Sequence, residues 1–166
     1  MKTFVFLICV IIFTSCQKEL SLDKDIAADT LVFKQLLTAT DKKFRVVEFY
    51  SDMPIDFDNT DTITTKEVNL WKYLSIYLRD DSNVFLQDGT LQVYQNIEKI
   101  PGDNSVLLLR SYKIETVDNK VMFDFLDYNY NPYRYFLHEK GTDYFILYTV
   151  RDSDKAKLFS KFVVVE

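Results

Sequence analysis

The chain carries one histidine, His138, and that single imidazole limits its catalytic chemistry. A Ser-His-Asp site needs an imidazole to move the proton of the nucleophile. His138 ends the run Tyr135-Phe136-Leu137-His138-Glu139 and reads as a solvated strand-end side chain. Zinc needs three or four Cys, His or carboxylate ligands, which one histidine does not favour. Gly89, Gly102 and Gly141 are too scattered to build a phosphate-cradling loop. Carboxylates are plentiful, but none lies in an apolar run that would separate the pKa values of a pair. Asp56-Phe57-Asp58-Asn59-Thr60-Asp61 offers alternating oxygen ligands of the kind calcium takes. It lacks the glycine of the sharp turn and the distant bidentate glutamate, so it reads as a solvated acidic loop. The inventory argues against an enzyme, and it suggests neither a metal nor a cofactor.

Two aromatic features could bind a partner. Tyr128, Tyr130, Tyr133 and Tyr135 alternate with polar residues around Pro132. Tyrosine stacks on a sugar ring or a protein surface at little entropic cost. The competing reading packs alternate rings on a sheet and leaves their hydroxyls in water. Trp71 offers the same choice, between a ligand-binding ring and the apolar anchor of a helix.

Residues 1 to 15 hold Lys2, an apolar run from Phe4 to Phe13, and the small pair Thr14-Ser15, with Cys16 next. Such a run rises only about 15 Å as a helix, half of a hydrocarbon core, so it reads as a secretory signal peptide. The arrangement resembles the lipobox of bacterial lipoproteins, with Phe13 where that motif has Leu. The resemblance implies cleavage before Cys16 and acylation of its thiol and new amine, with palmitate-type chains. Each buried methylene adds roughly 0.8 kcal/mol, so several chains hold a protein on a membrane without help from its surface. Gln17-Lys18-Glu19 resembles the polar, acidic stretch that follows the lipidated Cys in lipoproteins of Bacteroidota. That likeness implies the outer membrane, on its surface-exposed or periplasmic face. Cys9 lies in the discarded peptide, and a lipidated Cys16 is neither a nucleophile nor a disulfide partner.

Cleavage removes Lys2 alone among the charges, so 19 Lys and Arg face 25 Asp and Glu, a net charge of −6. No basic stripe is present, and nucleic acid is not an expected partner. Aromatics make up 16% of the chain against only three Gly and three Pro, a composition that favours pleated, half-buried strands. After the signal peptide (1–15), residues 16–29 read as a polar tether and 30–166 as one domain.

Along the chain, apolar Ile26, Leu31, Val32, Leu36 and Leu37 suggest a short N-terminal helix over 26–39. Residues 43–50 read as a strand. Thr64 and Glu67 form a capping box, and Leu70, Trp71, Leu74, Tyr77 and Leu78 follow at helical spacing, so a helix is expected up to Asp80-Asp81. From residue 83 the period becomes two. Strands are expected at 83–88, 90–97, 105–116, 120–127, 132–138, 143–150 and 156–165, separated by turn chemistry such as Asp88-Gly89 and Asp118-Asn119. Short connections favour an antiparallel up-and-down meander, and closure removes its two edges. The expected fold is mainly β: an eight-stranded barrel with one or two short helices.

Phe85-Leu86-Gln87-Asp88-Gly89-Thr90 in an early hairpin, followed by a run of meander hairpins, resembles the lipocalin-like lipoproteins of Bacteroidota. The likeness spans residues 43–166 and implies a lipocalin-like barrel; the Gly-x-Trp of true lipocalins is absent near Arg45 to Phe49. Two functions remain open. One is a non-enzymatic envelope lipoprotein that binds a small apolar ligand, a glycan or a protein. The other is a structural or accessory lipoprotein whose filled barrel is a platform for another envelope protein. Phe123, Phe125, Phe145, Phe159 and Phe162 are bulky enough to fill most of the centre.

Overall fold

A computed structural model describes residues 25–40, 42–57, 67–98, 106–126 and 132–165. Helix α1 covers residues 25–37. The strands are β1 (Lys43–Ile55), β2 (Glu67–Asn69), β3 (Ser82–Phe85), β4 (Thr90–Tyr94), β5 (Leu107–Val117), β6 (Lys120–Leu126), β7 (Pro132–Lys140), β8 (Tyr144–Val150) and β9 (Lys157–Val165). A 3-10 turn (Trp71–Tyr73) and the short helix α2 (Ile76–Asp80) join β2 to β3. All pairings are antiparallel, and the order β1-β3-β4-β5-β6-β7-β8-β9 returns to β1. The result is a barrel-like ring of eight strands, as the period-two pattern predicts, with β2 added on the outer edge of β1.

Hairpin chemistry sets the registers. Asp118 and Asn119 both take positive φ, 48° and 56°, the backbone of a two-residue hairpin whose twist matches its flanking strands. Gly89 has φ +88°, and an added Cβ would stand 3.3 Å from the Tyr112 carbonyl oxygen, so glycine fits this corner best. Asp88 Oδ1 accepts from the Thr90 N–H at 2.8 Å and closes the same turn.

Two bulges re-aim side chains. In β1 the register shifts between Val46 and Glu48, so Phe44 and Val46 point inward and then Phe49 and Ser51 do. In β7 the shift falls at His138. Leu137 and Lys140 thereby stay on the inner side while His138 and Glu139 face out.

The core begins at α1. Phe33 is fully buried, its ring 5.3 Å from Phe145 and 6.5 Å from Phe123, both near edge-to-face. Phe44, Phe85 and Phe145 complete this packed end. Thr30 Oγ1 meets Thr116 Oγ1 at 2.8 Å and Lys140 Nζ meets Asp29 at 2.7 Å, so α1 is locked to β5 and β7. The apolar stripe expected from the sequence is corrected here: Leu31 and Val32 are exposed, whereas Phe33 is the buried anchor beside Leu36 and Leu37. Helical rotation decides this, since residues 30, 33 and 37 share one face. α1 starts at residue 25, one residue ahead of the helix read over 26–39.

The long helix expected after Thr64 is also corrected. Residues 58–66 lie outside the described residues, and Glu67–Asn69 is a strand on β1, with Tyr50 opposite Asn69 and Ile55 opposite Glu67. β1 continues past Tyr50 and offers a free edge, and Leu70 is fully buried beside Ile55 and Ala156. That burial and the ladder outweigh local helix preference. Glu67 pairs with Lys72 at 2.7 Å.

Phe159 is the third correction. Alternation along β9 sends Phe162 inward and Phe159 outward, where it stacks on Tyr50 at 5.0 Å and meets His138 at 4.9 Å. Met122, Phe136, Tyr148, Phe159 and Tyr50 are register partners in succession, an outer row across five strands. Lys120 and Lys157 lie over the Phe136 and Tyr148 rings at 5.5 and 5.4 Å, and their aliphatic stems help to cover the row.

Candidate functional site

The aromatic packing around Phe33 stops short of α2. Between it and α2 lies an interior cavity of about 170 Å³. Leu74 and Leu78 bring the α2 segment to its wall, Phe85, Leu91 and Leu108 line one side, and Phe123, Phe125, Tyr135 and Phe162 line the other. Its polar lining is sparse: Asp81, Asn83, Arg110 and Ser160. The centre is therefore filled at the α1 end and hollow at the α2 end.

Strand parity explains the polar set. As α2 ends, the backbone of Asp81 becomes extended (φ −63°, ψ 142°) and Asp81, Asn83 and Phe85 alternate into the interior. Asp80 points the other way, and its Oδ2 accepts from the N–H groups of Ile97 at 2.6 Å and Glu98 at 3.1 Å, pinning the loop after β4. Asp81 is only 2% exposed, and its Oδ1 has no hydrogen-bond partner. Burial pushes its pKa up to about 7, helped by the charge of Asp80. The Asn96 backbone N–H, Arg110 and Arg45 pull in the opposite direction and do not cancel it. Asn83 donates its amide to the Phe44 carbonyl at 3.2 Å, across the seam between β1 and β3.

The tyrosine feature divides. Tyr128 and Tyr130 lie outside the described residues, as do Cys16 and the calcium candidates Asp58, Asn59 and Asp61. Tyr135 lines the cavity, stacked on Phe125 at 5.9 Å, and burial raises its pKa. Tyr133 stacks on the same Phe125 at 5.1 Å and is 46% exposed. Trp71 does not line the cavity; it flanks a surface groove beside Val47 and Val68, with Arg79 5.5 Å above its ring. Asp56 accepts from Arg151 Nη1 through its carbonyl oxygen at 2.9 Å. Among the described residues no three His, Cys, Asp or Glu side chains gather as a metal site.

No protein-family model, curated protein or solved structure matches the chain.

A larger groove of about 800 Å³ runs outside, between α1 and β5, past Lys34, Lys113 and Glu115. It is open to water and edged by long charged side chains, so it offers a small apolar molecule little burial. The interior cavity, only partly open and aromatic with a few convergent polar groups, would bury a small apolar molecule better. Asp81 and Arg110 were not singled out by the sequence, where Asp80-Asp81 reads as a helix stop. The available signal was the alternation Asp81-x-Asn83-x-Phe85, which carries Asp81 to the face of a core phenylalanine.

Proposed function

We propose that the chain is a non-enzymatic envelope lipoprotein, tethered to the outer membrane through Cys16, whose barrel-like domain binds a small apolar ligand. The observation that carries the ligand is the cavity of about 170 Å³ with aliphatic and aromatic walls. An apolar cavity of roughly 150 Å³ takes up benzene, so this one suits a single ring or a small bicycle. Placement of Tyr135 on the cavity wall favours an internal ligand over a glycan stacked on an outer tyrosine face. A non-catalytic role is supported by His138, which faces out against Phe159 and is not among the residues that line the cavity. The tether rests on the lipobox resemblance around Cys16.

Titration calorimetry with toluene tests the ligand reading. The full chain should bind with a Kd in the micromolar to millimolar range, set by about 4–8 kcal/mol for so small a molecule. Ser160→Leu, which adds bulk to the cavity lining, should abolish binding without unfolding the domain. Absence of toluene binding to the folded wild type would overturn it. Labelled palmitate should be incorporated by the wild type and lost in Cys16→Ala; unchanged labelling would overturn the tether.

A platform for another envelope protein remains the second reading. It is favoured by the ring-packed α1 end, where Phe33, Phe44, Phe85 and Phe145 leave the fold rigid without any ligand.

A further inference from the structure

Among the described residues, Asp81 makes a polar demand that the cavity walls leave unmet. This residue lines the cavity, is 2% exposed, and keeps Oδ1 without a hydrogen-bond partner. A buried acceptor left in that state costs about 1–3 kcal/mol, which a donor brought by a ligand would recover. Asn83 donates its amide to the Phe44 carbonyl, and neither it nor another described group donates to Asp81 Oδ1.

We propose that the cavity selects small, mainly apolar molecules bearing one neutral hydrogen-bond donor, such as phenols, indoles or short alcohols, and seats that donor on the Asp81 carboxyl. The proposal rests on the ligand-binding reading above. Charge and desolvation weigh against the alternatives, because an ion of either sign would meet a like charge in the lining and lose its hydration there. An anionic ligand would meet Asp81 with Asp80 beside it. A cationic head would meet the Arg110 guanidinium in the same lining, with Arg45 within electrostatic range of Asp81. It would also lose its hydration among phenylalanine walls, a loss that one carboxyl does not offset. A neutral O–H or N–H escapes both penalties, and its apolar body can pack edge-to-face or offset on Phe85, Phe123 and Phe125.

The groups that face Asp81 also fix how binding responds to pH. Asp80 precedes it, Arg110 on β5 and Arg45 on β1 act on it through their charge, and the Asn96 backbone donates to it. Its carboxyl titrates at about 7, and an ionised acceptor makes the stronger, charge-assisted bond. Donor ligands should therefore bind more tightly as pH rises through that value.

Calorimetry of the full chain with toluene and with p-cresol, a pair that differs by one hydroxyl, separates the possibilities. A gained hydrogen bond to a charged group predicts p-cresol tighter by roughly tenfold at about pH 8, shrinking severalfold at about pH 6. Toluene should show no such dependence, and Asp81→Leu should erase the p-cresol advantage while retaining toluene. Equal affinity for the two ligands at both pH values overturns the donor proposal and leaves the cavity reading intact. Failure of both to bind overturns the cavity reading itself. Persistence of the advantage in Asp81→Leu also overturns the proposal, since another group would then be the acceptor. Asp81→Asn, closer in shape, serves if the leucine variant does not fold, and it should abolish the pH dependence.

Discussion

Asp81 makes the stability of the domain depend on pH in a direction opposite to that of most carboxylates. Its folded pKa stands at about 7, whereas an unfolded aspartate titrates near 4. Below about pH 4 both states hold the proton and the residue imposes no penalty. Between about pH 4 and about pH 7 the unfolded chain releases its proton while the folded one keeps it, so stability falls as pH rises. Above about pH 7 the folded carboxyl ionises too and the penalty is constant. Asp81→Asn removes this term. Urea unfolding should find the variant more stable than the wild type by up to about 4 kcal/mol near pH 8, with the difference nearly gone near pH 4. A difference independent of pH would mean that the carboxyl titrates normally. None of this is legible in Asp80-Asp81 as a sequence, because nothing local says which of two adjacent acids faces the interior.

At the scale of elements, the meander was legible and its irregularities were not. Period-two runs such as Tyr144–Val150 and Lys157–Val165 place their strands to within a residue or two, since alternation along a half-buried strand is a property of the strand itself. The bulges at Val47 and His138 depend on what lies opposite, and they decide which residues face inward. Leu70, Trp71, Leu74 and Leu78 have helical spacing, yet the segment divides into strand, 3-10 turn and a five-residue helix because β1 offers an edge and a pocket for Leu70. A five-residue helix is not stable alone. Arg79 holds this one by donating to the carbonyls of Leu74 at 2.9 Å and Lys72 at 2.8 Å. α1 is the opposite case, fixed by its own buried face. Phe33→Ala should cost about 3–5 kcal/mol, the range for deleting a buried ring, whereas Leu31→Ala on the exposed side should change stability by less than about 0.5 kcal/mol. Thermal or chemical denaturation of the two variants checks this. Comparable losses would place α1 outside the core.

Over the whole molecule, the ring is held unevenly, and the weak place adjoins the cavity. The β1–β9 ladder runs from Lys43 opposite Val165 to Ser51 opposite Leu158. The β1–β3 seam rests on one register pair, Phe44 opposite Asn83, reinforced by the Asn83 side chain on the Phe44 carbonyl. The α2 segment beside that seam supplies Leu74 and Leu78 to the cavity wall, and Leu78 is 48% exposed. Few ladder bonds and a short helix mean a low free energy of local opening, which makes this seam the expected entrance for a ligand of the proposed kind. Native-state hydrogen exchange should show the amides of Ser82–Phe85 opening at least about tenfold more often than those of Tyr144–Val150, a difference of about 1.4 kcal/mol or more. Saturating toluene should slow the first set and leave the second unchanged, because a ligand lining α2 and β3 stabilises the closed seam by mass action. Asn83→Ala should widen the difference by removing the side-chain bond. Equal protection at both places would show that the ring opens only by global unfolding, and a ligand would then have to enter through another part of the wall.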